Sequence, residues 1–395
     1  MRFEEQWITG ARLALPDRVV ERGSLLVQNG LIADIREGEA PSPAVNARGL
    51  TLLPGLVDMH GDMIEKELEP RPGTRFDHDL AILELDKRLA ASGVTTAFAS
   101  LSFADGLGLR SDTRAVGLIR DIVALRPHLL VDHRIHARYE ISNTDACPAV
   151  LELVQAGMID LISLMDHTPG QGQFRDMEVY VHYLARHLGR HADEVRGEAE
   201  NRLDAGTEEV WEVARELAAT AKQAGIPLAS HDDDTEQKVA LLQELGVTIS
   251  EFPVTLEAAR AATERGMITF MGAPNALRGQ SHSGNLSALD ALNDGSLHGL
   301  ASDYSPMTML QAAMLIAERN LLSLSEAVKL VTLTPARATG MSDRGSLEIG
   351  KRADLVLVET VGRPRVRLTI VGGHAVYHDG TLNRSTHGAP LEVTP

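Results

Sequence analysis

Apolar and polar residues follow two different patterns along this chain of 395 residues. Near both ends apolar residues recur at every second position, which is typical of strands that bury one face. In the middle, short continuous apolar runs alternate with longer stretches of helical periodicity. The pattern therefore predicts an α/β protein, in which a (β/α)8 barrel of the TIM type is joined to a small β-sandwich built from both chain ends.

The domain boundaries follow from these patterns. We expect the β-sandwich in residues 1–52 plus 343–395, because neither end alone has enough strands for a stable sheet. Within it, Asn29-Gly30 separates two alternating runs and is a hairpin turn signal. The barrel is expected in residues 53–342. Its predicted strands are 52–60, 94–101, 131–140, 161–167, 227–231, 247–252, 267–273 and 299–303.

A long stretch rich in Glu, Arg and Ala, residues 178–225, interrupts the barrel pattern. It is too polar for a core, so we expect two exposed helices there. An insertion that packs on the barrel or on another subunit is favoured over an active-site lid. The sequence therefore leaves open whether the protein forms a homo-oligomer.

Charge and composition narrow the function classes. The formal net charge of −17 argues against a nucleic-acid or anionic-membrane partner, since those need a basic field. An anionic small-molecule substrate is still compatible if metal ions and a few arginines reverse the potential locally. The single cysteine, Cys147, fits a reducing compartment, and the chain shows no signal-peptide core or membrane-spanning run. We expect a cytoplasmic protein without a membrane partner.

Several predicted barrel strands end in side chains that bind metals. His60 and Asp62 end the first strand, and their i, i+2 spacing places both on one face. A parallel barrel gathers the carboxyl ends of its strands at one rim, so ligands from separate strands converge there. Imidazoles and carboxylates without thiolate suit Zn²⁺, Mn²⁺, Fe²⁺ or Co²⁺. The candidate ligands are His60, Asp62, Glu140, His167, His231 and Asp303.

This set is large enough for two divalent ions. The ends of the first and last strands would hold one ion, and His167 with His231 the second. Glu140 is the carboxylate expected to reach both, because no lysine falls at the end of a middle strand. Two ions would lower the pKa of a bridging water, and Asp303 is the candidate catalytic proton acceptor. A one-metal site stays open, with His231 or Asp303 then acting only as an acid or base.

Other polar residues near these strand ends have less direct roles. His136 and Arg138 share a strand face with Glu140, and an arginine that orients Glu140 is favoured over one that contacts substrate. Residues 232–234, all aspartates, are expected behind the ligands or at a helix start. Asp58 lies deeper and is expected to be structural.

Three segments have the composition of anion-binding loops. One follows the fourth strand, one follows the seventh, and Lys66 and Arg71 follow the first. Glycines let backbone N–H groups approach an oxyanion, and barrels often bind phosphate after strands seven and eight. The candidate substrate-binding residues are Lys66, Arg71, Gln171, Asn275, Arg278, Ser281 and His282.

Two motifs carry a resemblance to the amidohydrolase superfamily. Pro54-Gly55-Leu56-Val57-Asp58-Met59-His60 opens the barrel, and Gly350-Lys351-Arg352-Ala353-Asp354-Leu355 returns to the sandwich. Further stretches resemble the diphosphatases of phosphonate utilisation within it, namely 65–66, 70–72, 91–96, 133–140, 163–171, 229–233, 271–275, 278–285 and 302–304. The resemblance implies metal-dependent hydrolysis of a ribose 5-triphosphate to the 5-phosphate and pyrophosphate, with Lys66, Arg71, Arg278 and His282 on the triphosphate.

Two positions differ from the broader superfamily. Asp62 replaces the second histidine of the usual His-x-His, and Glu140 replaces a bridging lysine. Both belong to the pattern of the diphosphatases. A hydrolase that attacks an amide, N-acetyl or aminopurine carbon stays open as the alternative. A non-catalytic scaffold is disfavoured because the set of ligand-type residues is intact.

Overall fold

A computed structural model describes residues 5–41, 44–104, 112–167, 207–281 and 284–382, with isolated residues between 178 and 197. The strands, in chain order, are β1 (Glu5–Ala14), β2 (Val19–Gln28), β3 (Leu31–Glu37), β4 (Ala44–Asn46), β5 (Thr51–Pro54), β6 (Leu56–Gly61), β7 (Val94–Phe103), β8 (Asp132–Glu140), β9 (Leu161–Met165), β10 (Leu228–His231), β11 (Ile249–Glu251), β12 (Ile268–Gly272), β13 (Gly299–Ala301), β14 (Leu355–Glu359), β15 (Arg365–Val371) and β16 (His374–His378).

The strands form two sheets of eight. Strands β6 to β13 pair in parallel in chain order, which is the arrangement of a (β/α)8 barrel. Strands from both chain ends form a separate mixed sheet in the order β16-β15-β14-β5-β1-β2-β3, with β4 beside β1. The predicted fold class is confirmed. The Asn29-Gly30 turn is confirmed as well, since both residues have positive φ between β2 and β3.

Helices follow most of the barrel strands. They are α1 (Ile64–Leu68), α2 (His78–Ala91), α3 (Asp112–Leu125), α4 (Cys147–Gln155), α5 (Thr207–Gln223), α6 (Glu236–Glu244), α7 (Leu256–Glu264), α8 (Ala273–Arg278), α9 (Ala288–Asp294), α10 (Met307–Glu318), α11 (Leu324–Lys329) and α12 (Leu333–Ala338). Thr235 and Thr255 cap α6 and α7 by accepting backbone N–H groups from the first turn. No helix among these is long and apolar enough to cross a membrane.

The first barrel strand is shorter than the sequence predicts. The expected strand 52–60 is divided, because Thr51–Pro54 pairs with β14 and β1 in the terminal sheet and the barrel begins only at Leu56. Gly55 lies between the two strands, and its N–H donates to the Asp354 carbonyl at 2.8 Å. The run reads as one strand because both halves are buried and apolar.

Within residues 178–225, α5 packs on the barrel, as favoured from the sequence, but only one of its faces is exposed. This helix buries Ala214, Leu217, Ala218 and Ala221, which recur at helical spacing and pack in the barrel's main apolar core. Three of the four are alanines, so the buried face carries little hydrophobicity in the sequence. Most of 178–206 lies outside the described residues.

The barrel closes between β6 and β13 through a buried carboxylate. Asp58 accepts hydrogen bonds from the Ser302 hydroxyl, from the Ser302 N–H at 3.0 Å and from the His60 N–H at 3.4 Å. Next along the chain, the Asp303 N–H donates to the His60 carbonyl at 3.0 Å and the Asp62 N–H to the Asp303 carbonyl at 2.9 Å. We call Asp58, His60, Asp62, Ser302 and Asp303 the seam. It places the ends of the first and last barrel strands together.

Ser302→Ala should destabilise the protein by about 1–3 kcal/mol, because it removes a donor from a buried carboxylate. The thermal unfolding midpoint should fall accordingly. Ser92→Ala removes an exposed hydroxyl that bonds the Arg88 carbonyl, and should shift the free energy of unfolding by less than about 0.5 kcal/mol. Equal midpoints for the two variants would contradict the importance of the seam.

Candidate metal centre

Three buried imidazoles lie together inside the barrel: His60 and His231 near the carboxyl ends of β6 and β10, and His136 in the middle of β8. The rings of His60 and His231 stack with centroids 5.3 Å apart, and His136 meets His60 edge-on at 5.2 Å. Burial lowers the pKa of His60 and of His136 to about 3 and holds that of His231 well below its usual range. The rings are therefore neutral, which is the form that binds metal ions.

Glu251, the last residue of β11, forms a deep trio with His60 and His231. Its Oε2 lies 3.2 Å from His60 Nδ1 and 3.5 Å from His231 Nδ1. In the described part of the chain, neither these nitrogens nor the two Glu251 oxygens make a hydrogen bond, although all are buried. Such atoms are rare and costly in native structures. The donor set, two imidazoles and a carboxylate within ligand distance of one another, fits a divalent cation.

A second, shallow trio consists of His167, His231 and Asp232. Asp232 Oδ2 lies 3.4 Å from His167 Nε2 and 3.6 Å from His231 Nε2. Asp232 was expected behind the ligands, yet its carboxylate faces both imidazoles. The residue has φ +57°, an uncommon conformation for a non-glycine residue, and this turns the chain sharply after β10.

Glu140 and His167, two of the predicted ligands, contact each other directly. The Glu140 Oε1 accepts the His167 N–H at 3.1 Å, and Oε2 lies 2.9 Å from Nδ1 of the ring. Burial lowers the pKa of His167, but Glu140 and Asp232 outweigh it and raise that pKa to about 9. A carboxylate behind an imidazole is the arrangement that commonly orients metal-binding histidines. In this arrangement Glu140 holds His167 in place.

His231 belongs to both trios, but its ring has one lone pair when neutral. The Nδ1 atom faces the deep trio and the Nε2 atom faces the shallow one. Arg138 Nη2 lies 3.0 Å from Nε2 and donates to it, so the ring proton is on Nδ1. An ion at Nδ1 would move that proton to Nε2, opposite the arginine donor, and an ion at Nε2 would take the arginine's place. Binding at either position therefore requires Arg138 to move.

Asp303, the predicted proton acceptor, lies at the rim two residues after the end of β13. Burial, and then the nearby charge of Asp62, raise the pKa of Asp303 to about 7. Its Oδ2 lies beside Gly272 at the end of β12. A Cβ atom at that glycine would be 3.4 Å from this oxygen. A carboxylate that titrates near neutral pH suits proton transfer at that pH.

The predicted anion-binding residues are only partly near this rim. Lys66 is exposed on α1, with its ammonium 5.5 Å from the centroid of the Tyr304 ring, next to Asp303. Arg71 and Arg278 are also exposed. Gln171 and His282 lie outside the described residues.

Asn275 and Ser281 belong to the segment after β12. Asn275 donates to the Leu286 carbonyl at 2.9 Å and accepts the Ala288 N–H at 3.0 Å, so its amide spans the base of the loop. Ser281 is partly buried and lines a surface cleft of about 460 Å³ with Thr255. Asn275 thus ties α8, which ends at Arg278, to the start of α9.

Sequence reasoning missed Glu251 and gave Asp232 an indirect role. The predicted strand 247–252 does contain a carboxylate at its end, so the rule that selected the other strand ends would have found Glu251. Glu251 is the last residue but one of that predicted strand, which ends at Phe252.

Comparisons with known proteins show the family and the fold of this chain. A family model described as the amidohydrolase family matches residues 183–376. The chain is 38% identical over 357 residues to the alpha-D-ribose 1-methylphosphonate 5-triphosphate diphosphatase of Escherichia coli, covering 89% of this chain and 94% of that protein. It is 23% identical to a dihydroorotase of Citrifermentans bemidjiense, covering 89% of each. The crystal structure of dihydropyrimidinase from Brevibacillus agri has the same fold, with a TM-score of 0.60, 15% identity and 95% of both chains covered.

Removing metal ions should destabilise the protein, because the buried atoms of the deep trio then lose their partner. Dialysis against a chelator should lower the thermal unfolding midpoint, and added Zn²⁺ or Mn²⁺ should restore it. A free metal concentration of a hundred times the dissociation constant should increase the free energy of unfolding by about 2.7 kcal/mol. Mg²⁺, which prefers oxygen ligands, should restore less. A midpoint unaffected by both chelator and ions would contradict the presence of a metal centre.

Proposed function

Because the chain belongs to the amidohydrolase family, we propose that this hydrolase uses divalent metal ions to convert α-D-ribose 1-methylphosphonate 5-triphosphate to the 5-phosphate and pyrophosphate, as a step in phosphonate catabolism. The observation that supports this substrate most strongly is the 38% identity to the E. coli diphosphatase, which extends over 94% of that protein. The dihydroorotases are more distant, at 22–24% identity.

The site is proposed to hold one or two divalent ions. The candidates are Zn²⁺, Mn²⁺ and Fe²⁺. The ligands proposed from the sequence are His60, Asp62, Glu140, His167, His231 and Asp303. The unpartnered buried nitrogens of His60 and His231 support a cation among them. A bound ion would lower the pKa of water and offset the negative charge of the phosphates.

The chain's own residues position the substrate and move the proton. Lys66 at the rim binds the triphosphate, and Arg71 and Arg278 add charge from neighbouring loops. Water attacks phosphorus while the Asp303 carboxylate takes its proton. The anhydride bond between the α- and β-phosphates breaks, and its electron pair leaves with whichever of these two phosphates water does not attack. The products are the 5-phosphate and pyrophosphate.

We further infer that the protein acts on a dissolved small molecule in the cytoplasm. The net charge of −17 disfavours nucleic acid and anionic membranes as partners. Positive charge is therefore needed only locally, at the rim where Lys66 lies.

Wild-type protein supplied with Mn²⁺ or Zn²⁺ should release pyrophosphate from the ribosyl triphosphate. Asp303→Asn should lower kcat by a factor on the order of 10²–10⁴, because the proton acceptor is lost. Asp17→Asn, an exposed change in the terminal sheet, serves as the control and should match wild type. No release by metal-loaded wild type, with turnover of a cyclic amide or N-acetyl compound instead, would replace this function with the alternative.

Lys66→Met should raise KM for the triphosphate about tenfold with a smaller effect on kcat, because it removes binding energy shared by ground and transition states. Lys87→Met provides the matched control, since Lys87 is exposed on α2 and pairs with Glu84. Steady-state kinetics at two ionic strengths would measure both. An unchanged KM in Lys66→Met would exclude this lysine from the triphosphate site.

A further inference from the structure

The deep trio contains a carboxylate that the predicted ligand set does not include. Glu251 is fully buried, and both of its oxygens lack a hydrogen-bond partner among the described residues. Three imidazole nitrogens surround Oε2: His60 Nδ1 at 3.2 Å, His231 Nδ1 at 3.5 Å and His136 Nε2 at 3.8 Å. None of these contacts has hydrogen-bond geometry, so proximity alone does not satisfy the carboxylate.

The surrounding contacts fix the orientation of these rings. Gly61 N–H donates to the Ser100 hydroxyl at 3.2 Å, and Ser100 Oγ lies 3.1 Å from His136 Nδ1. The Ser100 hydroxyl and His136 Nδ1 thus share a hydrogen bond. The other ring nitrogen, His136 Nε2, faces Glu251 Oε2 at 3.8 Å. Ser100 therefore holds the His136 ring beside the carboxylate and edge-on to His60.

Two other buried carboxylates in the barrel, Asp86 and Asp58, have protein partners for both oxygens. Asp86 accepts N–H groups from Leu130 at 2.7 Å and Val131 at 3.1 Å, and its Oδ1 lies 3.0 Å from His133 Nε2. Asp58 accepts three donors in the seam. An unpaired buried carboxylate is expensive, and this one is surrounded by neutral rings whose nitrogens are also unpartnered. A cation among these atoms would satisfy all of them together.

We propose that Glu251 is a metal ligand, binding a deep divalent ion together with His60 and His231. In this arrangement Glu140 holds His167 from behind, and Glu251 provides the carboxylate that neutralises the deep ion. The inference rests on the metal dependence in the proposed function, but it does not depend on the substrate.

The test compares wild type with Glu251→Gln, which keeps the shape of the side chain and removes its charge. Both proteins are loaded with Zn²⁺ or Mn²⁺, and bound metal per chain is measured by mass spectrometry after gel filtration. The variant should lose one equivalent, or bind it at least about tenfold more weakly. Asp86→Asn is the matched control, because it neutralises a buried carboxylate whose partners are all protein atoms, and it should keep the wild-type metal content.

Thermal unfolding gives a second readout that does not require activity. Without metal, Glu251→Gln should unfold at the same temperature as wild type or higher, since it removes a buried carboxylate that has no hydrogen-bond partner among the described residues. With metal, its midpoint should rise less than that of wild type. If the variant folds poorly, Glu251→His should restore metal content, because imidazole also binds these ions.

The possible results distinguish the role of Glu251 from the proposed function. Equal metal content and equal metal-induced stabilisation in wild type and Glu251→Gln would overturn the role of Glu251 while leaving the proposed function intact. A wild-type protein that binds no metal would overturn both. Metal-loaded wild type that loses an ion in Glu251→Gln, but releases no pyrophosphate, would support Glu251 and refute the substrate.

Discussion

The hydrogen bonds that Asp58 accepts from Ser302 and His60 are the constraint on which the site depends. They join the first and last strands of the barrel, which are separated by most of the chain. His60 and Asp303 are therefore neighbours only because this closure holds. A carboxylate is suited to the position, since its two oxygens accept several donors at once from both strands. Burial raises the pKa of Asp58 to about 6, while its bonds to Ser302 act in the opposite direction.

At three strand ends of the rim, a non-glycine residue has a positive φ angle. Asp232, Phe252 and Asp303 follow β10, β11 and β13 with φ of +57°, +54° and +57°. Each such conformation costs about 1–3 kcal/mol in a non-glycine residue. Each residue also donates its N–H to the neighbouring strand, at 3.0 Å from Asp232 to Glu251, 2.8 Å from Phe252 to Phe270 and 3.0 Å from Asp303 to His60. The sheet thus continues for one residue while the chain turns away. The carboxylates of Asp232 and Asp303 stay at the rim as a result.

The barrel could be predicted from the sequence because each strand is a short apolar run with a polar end. The end of β5 and the start of β6 could not be separated, since both are buried and only Gly55 lies between them. The buried face of α5 was missed because alanines such as Ala214 and Ala221 carry little hydrophobicity. His60, His167, His231 and Asp303 were selected as ligand candidates because strand ends converge in such a barrel. Which atoms then face one another could not be predicted: the contact of Glu140 with His167 depends on side-chain geometry.

The carboxyl end of this barrel is proposed to hold divalent metal among its histidines and carboxylates. Crystals of the Zn²⁺-loaded protein, with anomalous diffraction measured on both sides of the zinc absorption edge, test it directly. An anomalous peak is expected within bonding distance of His60, His231 and Glu251, with Arg138 moved away from His231. A map with no peak in this cluster, from protein shown to contain stoichiometric zinc, would refute a metal centre at this rim.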